Sequence, residues 1–131
     1  MAEEHPNVSL IRRLDPRDLT SAATIFSEDV VWRYFNPLLP EIQGDYVGLS
    51  GIRSFFDKIG AITGGSFRVE PRSIAAVGDE FVVMQTRNSM TIQDRPIRTD
   101  VVVVWRVVDG RVKEVWDIPS VFTSPAEPGG T

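Results

Sequence analysis

The stretch Val101-Val102-Val103-Val104-Trp105-Arg106-Val107-Val108-Asp109-Gly110-Arg111-Val112-Lys113-Glu114-Val115-Trp116-Asp117 decides the reading of the fold. Two Val-rich runs flank Asp109-Gly110. That dipeptide tolerates the positive φ angles of a two-residue hairpin turn, so the pattern predicts antiparallel strands at 97–108 and 111–119. Moving towards the N-terminus, similar runs predict strands at 67–77 and 80–92. Gly78-Asp79 and Gln93-Asp94-Arg95-Pro96 are the intervening turns. The predicted strands reach about twice the usual length. Long antiparallel strands coil rather than stay flat, and a coiled sheet has a concave face.

The first half has a different period. Asn7–Arg13 predicts a short helix. A second helix is predicted from Asp15 as N-cap, with Pro16 at the first helical position and Asp18 in the first turn. Its Leu19, Ala22, Ala23 and Phe26 recur on one helical face. A third starts at Ser50, carries Ile52, Phe55, Phe56, Ile59 and Ile62 as its stripe, and stops at Gly64-Gly65. Val30–Asn36 predicts a lone strand between the second and third helices, followed by a loop over Pro37–Gly48. Helices first and strands later imply an α+β fold: a curved antiparallel sheet against three N-terminal helices, with a pocket at the open end. One domain is expected over 1–123, with a disordered Pro/Gly-rich tail at 124–131.

Composition removes whole classes of chemistry. The chain has 131 residues, is 42% hydrophobic and carries a net charge of −4. Its Arg and Lys are scattered, which argues against a nucleic-acid or membrane partner. With no Cys and with His5 as the one histidine, thiolate, Ser-His-Asp and His-zinc chemistry are excluded, and neither metal nor cofactor is expected. No apolar run reaches the roughly 20 residues of a membrane span. The acidic start Glu3-Glu4 does not resemble a signal peptide, so the cytoplasm is the expected compartment.

Strand alternation sorts the candidate site residues. Val30, Trp32, Tyr34 and Asn36 share one face, mixing aromatic walls with two polar tips, which is how small-molecule sites are built. Val82, Met84, Thr86, Asn88, Met90 and Ile92 share the expected concave face of the next long strand, opposite Phe81, Val83, Gln85, Arg87 and Ser89. In 97–108, Val101, Val103, Trp105 and Val107 oppose Val102, Val104, Arg106 and Val108. Both faces are apolar, so the convex one, with Val102, Val104, Val83 and Val115, is expected to bury itself in a homodimer. For Met84 and Met90 taken singly, ordinary core packing is the better explanation.

The order Glu28-Asp29-Val30-Val31-Trp32, then Gly44-Asp45-Tyr46-Val47-Gly48-Leu49-Ser50-Gly51-Ile52 leading into Phe55-Phe56, then Val104–Val112 and Glu114-Val115-Trp116-Asp117, resembles the SnoaL-like polyketide cyclases of the nuclear transport factor two-like superfamily. Ketosteroid isomerase and limonene-epoxide hydrolase share that superfamily. The resemblance implies a cone-shaped, cystatin-like α+β fold, a deep apolar pocket and a homodimer. It also implies where catalytic groups would fall. The isomerase's general base falls at Tyr34 and its neutral oxyanion-stabilising Asp at Val103; the first helix offers no Tyr. The cyclases' acid–base group again falls at Val103. The epoxide hydrolase's water-positioning Tyr-x-Asn matches Tyr34-Phe35-Asn36. Its Arg-x-Asp falls at Thr86-Arg87-Asn88, and its last Asp at Ile118.

Alternation places Asp117 opposite Trp116 and Ile118, on the convex face or a strand edge, paired with an arginine such as Arg87 or Arg106. The expected function is therefore the binding of a small, largely apolar ligand, either by an isomerase, cyclase or hydrolase or by a non-catalytic binding or interaction module. The candidate catalytic residues are Tyr34, Asn36 and Asp117, with Glu41 and Asp45 as further acids. Trp32, Phe55, Met84, Thr86, Asn88, Met90, Val103, Trp105 and Trp116 are expected to wall the pocket.

Overall fold

β4 (Phe81–Ile92) and β5 (Arg95–Val108) are the longest strands and form the spine of the sheet in the computed structural model, which describes residues 4–16 and 18–121. The expected tail at 124–131 lies outside the described residues. β4 pairs on its other side with β3 (Arg68–Val77), and β5 with β6 (Arg111–Pro119). β6 then runs parallel to β1 (Phe26–Tyr34), whose free edge is covered by β2 (Gly44–Val47). The six-stranded order is β2-β1-β6-β5-β4-β3. The sheet is thus mixed, because the early strand joins the meander in parallel. The lone strand begins four residues earlier than expected, and the loop expected at Pro37–Gly48 contains β2.

Asp109 and Gly110 take φ of 53° and 75°, the left-handed pair that closes a tight hairpin. Gln93 and Asp94 do the same at 52° and 64°. This turn is two residues rather than four, and Arg95 and Pro96 belong to β5. No helix among the described residues is long and apolar enough to cross a membrane.

Helix α1 (Pro6–Arg12) matches its expected span within one residue. The second helical segment is shorter than its pattern. Asp18, not Asp15, caps it by accepting from Thr20 N; a 3-10 turn at Leu19–Ser21 leads into α2 (Ala22–Ile25). Phe26 is already extended, and β1 takes it into the core. α3 (Gly48–Thr63) buries Ile52, Phe55 and Ile59, the heart of the expected stripe. Gly51 sits where α3 crosses Tyr46, and a Cβ there would come within 2.9 Å of the Tyr46 carbonyl carbon.

All three helices lie on one face of the sheet: α3 on β1, β2 and β4, α2 on β1 and β6, α1 on β3 and β4. Between them and the sheet Phe26, Trp32, Phe55 and Trp105 form an aromatic core. Trp32 and Trp105 meet edge to face at 5.5 Å, and Trp32 lies 5.6 Å from Phe55.

One irregularity decides what faces inward. In the β5–β6 ladder Val107 pairs with Val112 and Arg106 with Glu114, so Lys113 is an extra residue. Such a bulge reverses the alternation beyond it. Val112 points inward, and after Lys113 so do Val115 and Asp117, both buried. Continuing the alternation from Val112 without the bulge turns Trp116 and Ile118 inward, which is the expectation corrected here. Trp116 instead lies on the convex face beneath the Arg106 guanidinium, 5.6 Å from its ring centre. Val115 is fully buried opposite Trp105 and belongs to the core, not to the convex apolar set.

Candidate functional site

The inward side chains of β1, β4, β5 and β6, closed by α3, leave two adjoining cavities of about 280 and 460 Å³. Phe55, Phe67, Asn88 and Asp117 border both. The smaller cavity, whose exposed lining includes Leu38 and Arg95, holds Tyr34, Asn36 and Met90; the larger, whose exposed lining includes Arg12 and Val69, holds Trp32, Met84, Thr86, Val103 and Trp105. Every expected wall residue except Trp116 therefore borders one of the two. Glu41 and Asp45 border neither. Glu41 is exposed, and Asp45 is tied to Arg33 at 3.2 Å on the outer side of β2.

Asp117 occupies the junction. β6 places it directly beside Tyr34 on β1 and Val103 on β5. Burial pushes its carboxyl up to about 7, against a smaller downward pull from the Trp32 indole N–H. That N–H approaches without closing a hydrogen bond, since Trp32 Nε1 has no bonded partner. The arginines expected to pair with Asp117 are engaged on the convex face: Arg87 with Asp100 at 3.2 Å, and Arg106 with Glu80 and Glu114. Among the described residues no cation neutralises Asp117, a buried carboxyl at the junction where the two cavities meet.

Tyr34 and Asn36 are locked together beside it. The Leu38 backbone N–H donates to Asn36 Oδ1 at 3.0 Å, which leaves Asn36 Nδ2 to donate to Tyr34 Oη at 3.0 Å. The Tyr34 hydroxyl accepts that bond and keeps its own proton free to donate. Burial pushes its pKa up to about 12, with the Asn36 bond lowering it and the Asp117 and Tyr46 charges raising it. Tyr34 is therefore a neutral donor across the physiological range. The loop over Asn36–Gln43 is held by Leu39 N to Asn36 O and Ile42 N to Leu39 O, both 3.0 Å, and by the Tyr46 hydroxyl on Ile42 O.

On the opposite wall Thr86 Oγ1 donates to Asn88 Oδ1 at 2.9 Å. The Asn88 amide nitrogen is left to face the cavities. No cluster of three or more metal-ligating side chains occurs among the described residues. The arrangement combines one proton-transfer group near neutrality, one fixed hydroxyl donor and an apolar enclosure. Asp117's inward placement is what reasoning from alternation missed; the unpaired Lys113 leaves no mark in composition or period.

Comparison with known proteins gives a consistent picture of the fold. A family model described as a SnoaL-like domain matches residues 8–115. A nuclear transport factor two-like protein from Burkholderia pseudomallei superposes with a TM-score of 0.76 at 21% identity, covering 92% of each chain. TerC, solved with polyporic acid, gives 0.75 at 23% identity, with 88% of this chain and 92% of that one covered. IdmH from Streptomyces antibioticus, a proposed polyketide cyclase, gives 0.71 at 18% identity over 88% and 93%. No protein of curated function matches the sequence.

Proposed function

We propose, on the premise that the chain belongs to the SnoaL-like domain family, that it is an acid–base enzyme acting on a small, largely apolar carbonyl compound. The observation that carries this reading is the buried Asp117 carboxyl at the junction of the cavities, beside the free proton of Tyr34. A pKa of about 7 keeps both protonation states populated, as a proton shuttle requires. The Asp117 carboxylate takes a proton from the carbon next to the carbonyl. The electron pair moves to the carbonyl oxygen, which the Tyr34 hydroxyl holds as an enolate. Asp117 then returns the proton to a different carbon, as in an isomerase, or the enolate carbon bonds to a second carbonyl carbon, whose oxygen takes the electron pair of its π bond and receives the proton back from Asp117, as in a cyclase. The co-crystal of TerC with polyporic acid and the cyclase proposal for IdmH are in keeping with an oxygenated cyclic substrate.

A second reading, addition of water to an epoxide, is favoured by one observation. Tyr34, Asn36 and Asp117 line the same cavity, and they would supply the three water-positioning groups of the epoxide-hydrolase pattern once its last Asp is set at Asp117 rather than Ile118. The Arg-x-Asp positions remain Thr86 and Asn88, neither of which titrates.

The test uses 2-tetralone, an apolar bicyclic ketone, in deuterated water, with exchange at its α-carbons followed by NMR. The wild-type protein accelerates exchange, Asp117→Asn abolishes the acceleration and Tyr34→Phe weakens it. Exchange that none of these changes alters would reduce the protein to a ligand binder. The same proposal takes the active form as a homodimer through the convex face. There Val102, Ile118 and Phe35 are 41, 42 and 55% exposed, and Val102 and Ile118 pair across β5 and β6.

A further inference from the structure

The geometry points to a substrate with an anionic end, held at the mouth of the smaller cavity by Arg95 while its apolar body lies inside. The inference rests on the reading of the two cavities as the ligand site, and it names the chemical class they take.

Most described arginines are already engaged: Arg12 with Glu4, Arg33 with Asp45 and Glu114, Arg72 with Glu70, Arg87 with Asp100, and Arg106 with Glu80 and Glu114. Arg13, Arg68 and Arg111 donate to a hydroxyl or to backbone carbonyls. Among the described residues, the guanidinium groups of Arg53, Arg95 and Arg98 make no ion pair and no hydrogen bond. Two of those three, Arg95 and Arg98, border the smaller cavity.

Arg95 shares the parity of Ile97, Thr99 and Val101 on β5 and so lies on the cavity side of its strand. Neither nearby acid neutralises it: Asp94 makes no ion pair with it, and Asp100 is held by Arg87. The chain as a whole carries a charge of −4, so an uncompensated positive rim is local and runs against the overall field. The rim is also greasy, with Leu38 65% exposed beside Ile92 and Pro96. An unpaired cation at the edge of an apolar opening suits a ligand that is itself amphipathic. Among the described residues Asp117 is the one charged group lining the buried part of the cavities, and Arg12, on the exposed rim of the larger one, is bound to Glu4 at 2.6 Å. The ligand is thereby oriented: apolar end against Trp32 and Trp105, reacting oxygen at Tyr34 and Asp117, anion at Arg95.

Two fluorescent probes with the same aromatic body test this. 8-Anilinonaphthalene-1-sulfonate is anionic and N-phenyl-1-naphthylamine is not. At low salt, Arg95→Gln weakens sulfonate binding about three- to fivefold, the scale of an exposed ion pair, and leaves the neutral probe unchanged. Raising the salt concentration removes the difference, and Arg53→Gln, remote from the rim, affects neither probe. Equal effects of Arg95→Gln on both probes, or none on either, overturn the inference. Met84→Trp, which fills the larger cavity, abolishes binding of both. Undisturbed binding of both in Met84→Trp overturns the cavity reading itself, whereas cavity binding without charge preference overturns only the anionic end.

Discussion

Replacing Asp117 with Asn keeps the side-chain shape and removes its proton equilibrium. In the folded protein, burial holds the carboxyl at about 7; in the unfolded chain it titrates at about 3.9. Between those values the folded state keeps a proton that the unfolded state has lost. Stability therefore falls as pH rises, by about 1.4 kcal/mol per pH unit. The contribution is intact below pH 4, and by pH 8 the loss amounts to about 4 kcal/mol. The amide of the Asp117→Asn variant cannot ionise and suffers none of this. Urea denaturation of both proteins across pH 4–8 then shows the variant gaining on the wild type by about 4 kcal/mol, with the change spread between the two pKa values. Glu4, Asp18 and Asp29, whose pKa values are lowered by hydrogen bonds from Arg12, Thr20 and Lys113 respectively, act in the opposite sense, losing stability as pH falls. They are common to both proteins and cancel in the difference. A difference that stays flat across this range refutes the reasoning, because a carboxyl that titrates normally imposes no such dependence.

Three other changes probe separate parts of the account. Tyr34→Phe removes the donor to the enolate and lowers the 2-tetralone exchange rate by about 10²–10³-fold; it costs about 1–3 kcal/mol of stability because Asn36 Nδ2 loses its acceptor, and it leaves N-phenyl-1-naphthylamine binding unchanged. Gly51→Ala destabilises by about 1–3 kcal/mol in urea melts even though alanine favours a helix by about 1 kcal/mol, since its Cβ would meet Tyr46 backbone at 2.9 Å. Val102→Asp on the convex face converts a sedimenting dimer to monomer and leaves the thermal melting of the monomer within a few degrees; monomer in the wild type at micromolar concentration contradicts the dimer.

How much of this was legible without coordinates follows from where periodicity holds. The four meander strands and α3 were readable because their apolar residues repeat over many positions and their turns carry Gly or Asp. Trp32, Tyr34 and Asn36 could be placed on one inward face because β1 alternates cleanly from Val30 to its end. The second helix was overextended because Phe26 fits a helical stripe as well as a strand, and tertiary pairing with Val112 settles it. β2 was hidden in a loop because four residues carry too little pattern, and only the edge of β1 gives them a partner. The largest loss came from Lys113. Its side chain is an ordinary surface lysine bonded to Asp29 at 3.0 Å, yet its backbone position reverses Trp116 and Asp117. Preferring a tryptophan inside over an aspartate is sound on hydrophobicity alone. Here Arg106 supplies the tryptophan with a partner outside, and the aspartate bears the burial.

Proton transfer in the cavity requires the Asp117 carboxyl to titrate near neutrality. Carbon-13 NMR of the Asp117 carboxyl, assigned by its disappearance in Asp117→Asn, measures this directly. Burial in the cavity sets the midpoint at about 7; a midpoint near 4 would instead place the group in contact with water and remove the proton shuttle.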